Sequence, residues 1–313
     1  MGDSLRGAGL HYAAMALNYD LHAHSTASDG TLSPAELVVL AQAQGVDVLA
    51  LTDHDDTAGV AEAQAAAAHC GVTLVPGVEI SVSWRHQTLH VLGLAVDPDC
   101  QPLARGLATL RDYRTWRAEE IARGLAAHGI DGALAGAAAH ASGQIISRTH
   151  FARFLVEHGH ARDVAHVFKR FLVRGRPGYV ASEWAPLEDA LDWIQAAGGL
   201  AVIAHPGRYR LSSGGLRRLC GEFREMGGDG LEVISGSHLP AHNEHMARLA
   251  GQFSLLASCG SDYHGPEYAY QGLGRLQQLP AQCTPVWSDR RFQSSPSRAR
   301  IDAEQLARYQ QQC

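Results

Sequence analysis

Lysine is almost missing from this 313-residue chain: of 26 basic residues only Lys169 is a lysine, and the other 25 are arginine. Paired cysteine motifs are missing too. The six cysteines (Cys70, Cys100, Cys220, Cys259, Cys283 and Cys313) are scattered with no CxxC among them. In a chain of this length that argues against a disulfide scaffold and for a reducing, cytoplasmic setting. No window approaches the run of about 18 apolar residues that a membrane span needs. Positive charge is not in excess, since 26 Lys+Arg face 32 Asp+Glu for a formal charge of −6. A protein gripping long nucleic acid non-specifically is usually basic, so a role on DNA or long RNA is disfavoured. Residues 1–16 read as a leader or extension, with Met15 as an alternative start. The apolar stretch Ala13–Leu17 is short for a secretory core, and Asp3 stands where a basic segment would be.

What remains is the composition of a folded α/β protein, 46% hydrophobic and 19% charged, which excludes disorder, collagen-like repeats and coiled coils. Histidine stands out. Its 18 copies outnumber any one of Phe, Tyr, Trp, Met or Pro, and it is the commonest metal ligand and acid/base side chain.

Seven short apolar runs read as buried strands: Leu17–Leu21, Val46–Leu51, Thr73–Val78, Leu89–Leu94, Leu200–Ala204, Leu231–Ile234 and Leu255–Ser258. Helical segments lie between most of them, at Pro34–Gln44 behind the N-cap Ser33, Gly59–His69, Leu187–Ala197, Leu216–Met226 and Ala241–Ala250. The alternation predicts βαβ units and a parallel, barrel-like sheet. From 99 to 182 the pattern is helical instead, over Leu107–His128, Thr149–Glu157 and Asp163–Phe171, and this stretch holds eleven of the 25 arginines. The expected division is a barrel at 17–98 and 183–285, a helical insertion at 99–182 capping the substrate, and a tail at 286–313 that includes a short helix over Asp302–Gln312.

Several strand ends carry metal-ligand residues. The first runs into His22-Ala23-His24 with Asp29 close behind, and side chains two apart in a strand point the same way. The second ends at Asp53-His54-Asp55 and the third at Gly77-Val78-Glu79. The fourth contains His90, the fifth ends at Ala204-His205-Pro206, and the seventh closes with Ser261-Asp262-Tyr263-His264. In a β/α barrel such ends converge on one mouth. Six imidazoles and three carboxylates crowded together need cations to offset them, and the mixture suits zinc, manganese or iron(II) better than calcium or magnesium. One such histidine alone would more often be a packed core residue; nine in sequence order are a pattern. Asp53 and Asp55, flanking His54, are expected to orient it from outside the ligand set. Trp84, Trp116 and Trp184 are expected in core or lid positions, with base stacking as the alternative.

The string D-L-H-x-H-S, D-G, T-D-H-D, G-V-E, A-H-P and S-D-x-H, over residues 19–95 and 198–264, resembles the PHP (polymerase and histidinol phosphatase) family of metal enzymes. That resemblance implies a distorted seven-stranded (β/α)7 barrel and a trinuclear centre. The segments Ile146–Arg153, Gly175–Val180 and His205–Tyr209 are similar to the branch acting on 3′,5′-nucleoside bisphosphates and short RNA 5′ ends. Carried over, the pattern implies one ion on His22, His24, Glu79 and Asp262, a second on Glu79, His90 and His205, and a third on Asp29, His54 and His264. Asp29 stands where some relatives have histidine. Two to three divalent ions are expected, manganese first, with zinc or iron(II) as alternatives.

The activity implied is hydrolysis of the 3′-phosphate of bisphosphates such as pAp by a metal-bridged hydroxide attacking phosphorus, and 5′-to-3′ trimming of short 5′-monophosphorylated RNA. Asp29 and His264 are the candidate catalytic groups, with Asp29 or a metal-bound water supplying the proton for the leaving oxygen. Arg148, His150, Arg176 and Arg208 are the candidate phosphate contacts, and Arg148 with His150 opens a helix, where anions bind readily. The expected partner is a small nucleotide, with no DNA, membrane or obligate protein partner. Alternatives are a phosphatase of a non-nucleotide such as histidinol phosphate, a C–N hydrolase, and a non-catalytic PHP binding module.

Overall fold

A computed structural model of the chain describes residues 17–266 and 272–294. The expected leader at 1–16 and the tail helix at Asp302–Gln312 lie outside the described residues. The strands are β1 (Tyr19–Ala23), β2 (Val48–Leu51), β3 (Thr73–Trp84), β4 (Gln87–Leu94), β5 (Ala185–Pro186), β6 (Leu200–Ile203), β7 (Gly230–Ser235) and β8 (Leu256–Gly260). The helices are α1 (Pro34–Ala43), α2 (Val60–Cys70), α3 (Gln101–Ala126), α4 (Ala133–Ala139), α5 (Arg148–Glu157), α6 (Val164–Val167), α7 (Leu187–Ala196), α8 (Ser213–Glu225), α9 (Pro240–Gln252) and α10 (Arg290–Gln293). None of the described helices is long and apolar enough to cross a membrane.

Seven strands form a nearly closed barrel in the order β1-β2-β3-β4-β6-β7-β8, and the two-residue β5 pairs on β3 outside that path. β1 and β8 approach closure through the Ala23–Tyr263 bridge. Two backbone bonds hold them there, His24 N–H to the Tyr263 carbonyl at 2.9 Å and Asp262 N–H to the His22 carbonyl at 2.8 Å. The local rules behind the elements are ordinary. Ser33 and Glu36 cap α1 reciprocally, a capping box that satisfies two orphan donors. Gly71 ends α2 in the left-handed region at φ 74°, where a Cβ would be strained.

The expectation of an all-parallel sheet is corrected at β4, which runs antiparallel to both β3 and β6. β3 continues six residues past Val78 and returns through a two-residue turn, Arg85 and His86, both at positive φ (44° and 64°). Turns of that kind are usually announced by Asn-Gly or Asp-Gly, and Arg-His carries no such signal. The reversal has a consequence for the mouth of the barrel. His90 reaches it from the first half of its strand, opposite Ser81, and Glu79 from the middle of β3, whereas β1, β2, β6 and β8 deliver ligands at or just beyond their C-terminal ends.

Two apolar clusters fill the barrel and its helical shell. The larger includes Leu21, Ile80, Val91, Val202 and Phe223, and the smaller packs α1 and α2 on β2 through Leu37, Leu49 and Leu74. A third cluster lies within the helical stretch, where Ile121, Leu125, Phe151, Leu155 and Leu172 join α3, α5 and a π-helical turn at Phe168–Leu172. The first half of α3 buries Leu103, Leu107 and Leu110 in the larger cluster, so one long helix ties the helical stretch to the barrel.

Candidate metal centre

β1 presents His22 and His24 on one side, and its turn brings Asp29 back beneath them. That turn is shaped by Asp53, which accepts from Ser25 N–H (2.8 Å), Ser25 Oγ (2.7 Å) and Ser28 Oγ (2.6 Å). The chain leaving β2 pairs at His54 with Glu79 of β3. His205 and Asp262 leave β6 and β8 in the left-handed region (φ 30° and 57°), a conformation that costs of order 1–3 kcal/mol for a non-glycine residue and is typical of functional sites. Gly260 makes room for this convergence, because a Cβ there would lie 2.2 Å from the His22 Cβ.

The nine side chains singled out in the sequence meet at one mouth. His22 Nε2 and His24 Nε2 are 3.1 Å apart. Each lies 3.4 Å from a Glu79 oxygen, and Asp262 Oδ1 is 3.4 Å from the first and 3.3 Å from the second. Donor atoms this close together could share one cation at the usual metal–nitrogen and metal–oxygen distances of about 2.1 Å. Glu79 is the hub. Its Oε1 is 2.9 Å from His90 Nδ1 and 2.8 Å from His205 Nε2, and its Oε2 is 2.8 Å from His54 Nδ1. On the far side Asp29 Oδ1 stands 3.3 Å from His264 Nε2 and 3.9 Å from His54 Nε2. His54 therefore faces Glu79 with one nitrogen and Asp29 with the other. His24 Nδ1 and His205 Nδ1 are buried without a hydrogen-bond partner, which is costly in a dry interior.

The charges are held chiefly by each other. Burial opposes ionisation of Glu79, yet His90, His54 and His22 hold its carboxyl well below the usual range. Asp29 and Asp262 are held low in the same way, chiefly by His264 and by His22 respectively. Desolvation pushes His54 down to about 4, whereas Asp29 and Asp262 outweigh it at His264 and raise that ring to about 9. Divalent cations, which replace protons on such groups, satisfy this donor set. Imidazole with carboxylate suits the first-row transition metals and zinc.

The carboxylates expected to orient His54 do something else. Asp53 shapes the β1 turn, and Asp55 accepts from Ser81 N–H and binds the Arg114 guanidinium at 2.6–2.7 Å; neither meets the His54 ring. Glu232 of β7, passed over in the sequence, does orient ligands. It is fully buried, accepts from His22 Nδ1 at 3.1 Å and from the His205 backbone N–H at 2.5 Å. A lone glutamate inside the apolar run Leu231–Ile234 was the available signal. Glu232→Gln should lower metal affinity about 10–100-fold, the usual penalty for losing a carboxylate behind a ligand histidine. Titration of the stripped protein against a competing chelator checks this, and an unchanged affinity would remove Glu232 from the centre.

A cavity of about 580 Å³ opens over the ligands. Arg208 donates to Asp262 Oδ2 at 2.7 Å. Arg148, the first residue of α5, lines the cavity with its guanidinium 5.4 Å above the Phe168 ring. Its helix is docked on the centre, since the N-cap Ser147 donates to Asp29 Oδ2 at 2.9 Å and Arg153 donates to the Asp29 carbonyl at 3.0 Å. Two expected phosphate contacts are not at the cavity. His150 is 1% exposed and spends Nδ1 accepting from Ser147 N–H at 3.1 Å, closing the turn that presents Arg148. Arg176 is exposed on a turn away from the lining. Arg114 and Arg117 of α3 take their place, stacked 5.0 and 5.2 Å from the Trp184 ring. Three residues apart on a long helix, they read in sequence like surface charges. Trp184 itself lines the cavity, Trp84 is buried, and Trp116 is 45% exposed.

Comparison with known proteins agrees with this geometry. The PHP domain family matches residues 20–197. A 3′,5′-nucleoside bisphosphate phosphatase from Chromobacterium violaceum is 46% identical over 273 residues, spanning 87% of this chain and 96% of that protein. The 5′-3′ exoribonuclease Rnm of Escherichia coli (strain K12) is 45% identical over 274 residues, spanning 87% and 93%. Among solved structures, an amidohydrolase from Chromobacterium violaceum with bound sulfate and no metal superposes with a TM-score of 0.84 at 47% identity, covering 87% of this chain and 95% of that one.

Proposed function

The chain belongs to the PHP domain family, and from that premise we propose that it is a metal-dependent phosphoesterase that removes the 3′-phosphate from 3′,5′-nucleoside bisphosphates. The observation that carries the reading is the pairing of two walls in one cavity. One wall is the cluster of metal-ligand side chains; the other holds Arg114, Arg117, Arg148 and Arg208. Guanidinium forks match phosphate oxygens, and a C–N hydrolase acting on a neutral amide has no use for four of them. The phosphatase relative carries a name consistent with this reading, and bound sulfate in the solved relative has the shape and charge of phosphate.

When bound, divalent ions supply charge against the phosphoryl oxygens and lower the pKa of a water. His22, His24, Glu79 and Asp262 would hold one ion, Glu79, His90 and His205 a second, and Asp29, His54 and His264 a third, with manganese the proposed metal. The other steps belong to the chain. Arg208 and Arg148 clamp the scissile phosphate, and Arg208 in turn keeps Asp262 aligned. The departing ribose oxygen would take its proton from a water at the centre, positioned beside Asp29 and His264, which stand 3.3 Å apart. The helical stretch at 99–182 acts as the cap that excludes water and carries Arg148.

The same placement accepts an internucleotide 3′-phosphodiester, so short 5′-monophosphorylated RNA is the second substrate, in line with the exoribonuclease relative. The net charge of −6 favours short chains held locally. Cys70, Cys100, Cys220, Cys259 and Cys283 are free thiols, which supports a cytoplasmic location. The test is phosphate release by metal-loaded protein from pAp, 5′-AMP and histidinol phosphate. Preference for pAp is expected. Equal or better turnover of histidinol phosphate would move the substrate outside the nucleotides, and no turnover of any monoester would sink the phosphatase reading.

A further inference from the structure

Arg117, like Arg148, has no carboxylate within ion-pair distance among the described residues, and of the four guanidiniums at the cavity it is the one with a buried nitrogen, Nε, that has no hydrogen-bond partner. It is 7% exposed. Arg114 beside it is already committed to Asp55 and Ser81, and Arg208 to Asp262. Burial, then the charges of Arg148 and Arg114, push the Arg117 pKa down to about 9. A guanidinium does not shed its proton in a protein, so the strain is relieved by an anion. Trp184 lies against the group, with the Arg117 Cζ over its ring at 5.2 Å from the centroid. A stacked fork is fixed in advance and loses little freedom on binding.

Its place on α3 sets it apart from the reacting end. Among the described residues Arg117 makes no bond to a metal-ligand side chain: it follows one helical turn after Arg114, which is held by Asp55 and Ser81, and its Cζ lies 5.2 Å from the Trp184 ring. The cavity, at about 580 Å³, is the size of a small-molecule site rather than of one phosphate.

We infer that Arg117 recognises the substrate's second phosphate, the 5′-phosphate that is not cleaved, and so sets the preference for bisphosphates over 3′-monophosphates. The inference rests on the bisphosphate reading above and names the residue that enforces it. The measurement is kcat/KM on pAp and on 3′-AMP for the wild type, Arg117→Ala and Arg117→Lys, all metal-loaded, with the dissociation constant of 5′-AMP as a readout independent of turnover. Arg117→Ala should cut pAp hydrolysis about 10–100-fold, the effect of losing one charged hydrogen-bonding group. That loss should be at least about tenfold larger than the loss on 3′-AMP, and 5′-AMP should bind correspondingly more weakly. Arg117→Lys should recover part of the preference, because the charge survives and the fork does not. Equal losses on both substrates in either variant would make Arg117 a packing partner of Trp184 and overturn the inference. So would a wild type that hydrolyses 3′-AMP as well as pAp, although the phosphatase reading would stand. A wild type inactive on both substrates would sink that reading first, and the inference with it.

Discussion

Glu79→Gln should reduce phosphate release by about 10³-fold or more, because several kcal/mol of metal-derived transition-state stabilisation is lost with the carboxylate. The size follows from the position of Glu79. Its two oxygens lie within 2.8–3.4 Å of five imidazoles, those of His22, His24, His54, His90 and His205, more candidate ligands than any other of the described residues touches. The amide keeps the shape but has neither the charge nor two equivalent acceptors. Metal analysis separates the causes. At least one ion per chain should be missing from the variant at a metal concentration that saturates the wild type. A variant with full metal content and near wild-type turnover would place the reaction elsewhere. The same substitution takes from His22 one of the carboxylates that favour its protonated ring, so the stripped variant should also bind fewer protons near neutral pH than the stripped wild type.

Arg148→Ala should behave in the opposite way, with metal content intact and bisphosphate turnover down about 10²–10³-fold, the range seen when one preorganised transition-state donor is removed. Arg148 lines the cavity and, among the described residues, pairs with no carboxylate, so its removal does not release a buried acid. Arg208 would be a less clean probe, since it donates to Asp262 within the ligand cluster and its loss should disturb metal and substrate together. The measurement is kcat/KM on pAp beside metal stoichiometry. Parallel loss of both in Arg148→Ala would mean that the arginine supports the fold of the centre, not the phosphate.

Most of the barrel was legible because its strands are short apolar runs, and the ligand positions because period two fixes the face of a strand. His22 and His24 follow from that rule alone, and Asp262 with His264 from the end of the last strand. The antiparallel β4 was hidden by a turn, Arg85-His86, that lacks the residues by which such turns are recognised. Glu232 was hidden differently, since a carboxylate inside an apolar strand shows that something must neutralise it without saying what. His22 and the His205 amide, 210 and 27 residues away, supply the answer. The arginines were the hardest. His150 and Arg176 sit in the segments that resemble the bisphosphate branch, yet one caps α5 and the other faces solvent, while Arg114 and Arg117 reach the cavity from α3. Which arginine on a helix faces a cavity depends on how that helix docks. α3 docks by its first half against the barrel core and by its second against the cap cluster, a relation no local pattern encodes.

The most direct measurement is phosphorus NMR of pAp incubated with the metal-loaded chain, following which of the two phosphates is released and repeating the run after chelation. The expected outcome is inorganic phosphate with 5′-AMP as the nucleotide product, and no reaction in the stripped protein until divalent metal is restored. Release of the 5′-phosphate to leave 3′-AMP, or hydrolysis undiminished by chelation, would contradict a metal centre and an arginine wall that together select the 3′-phosphate.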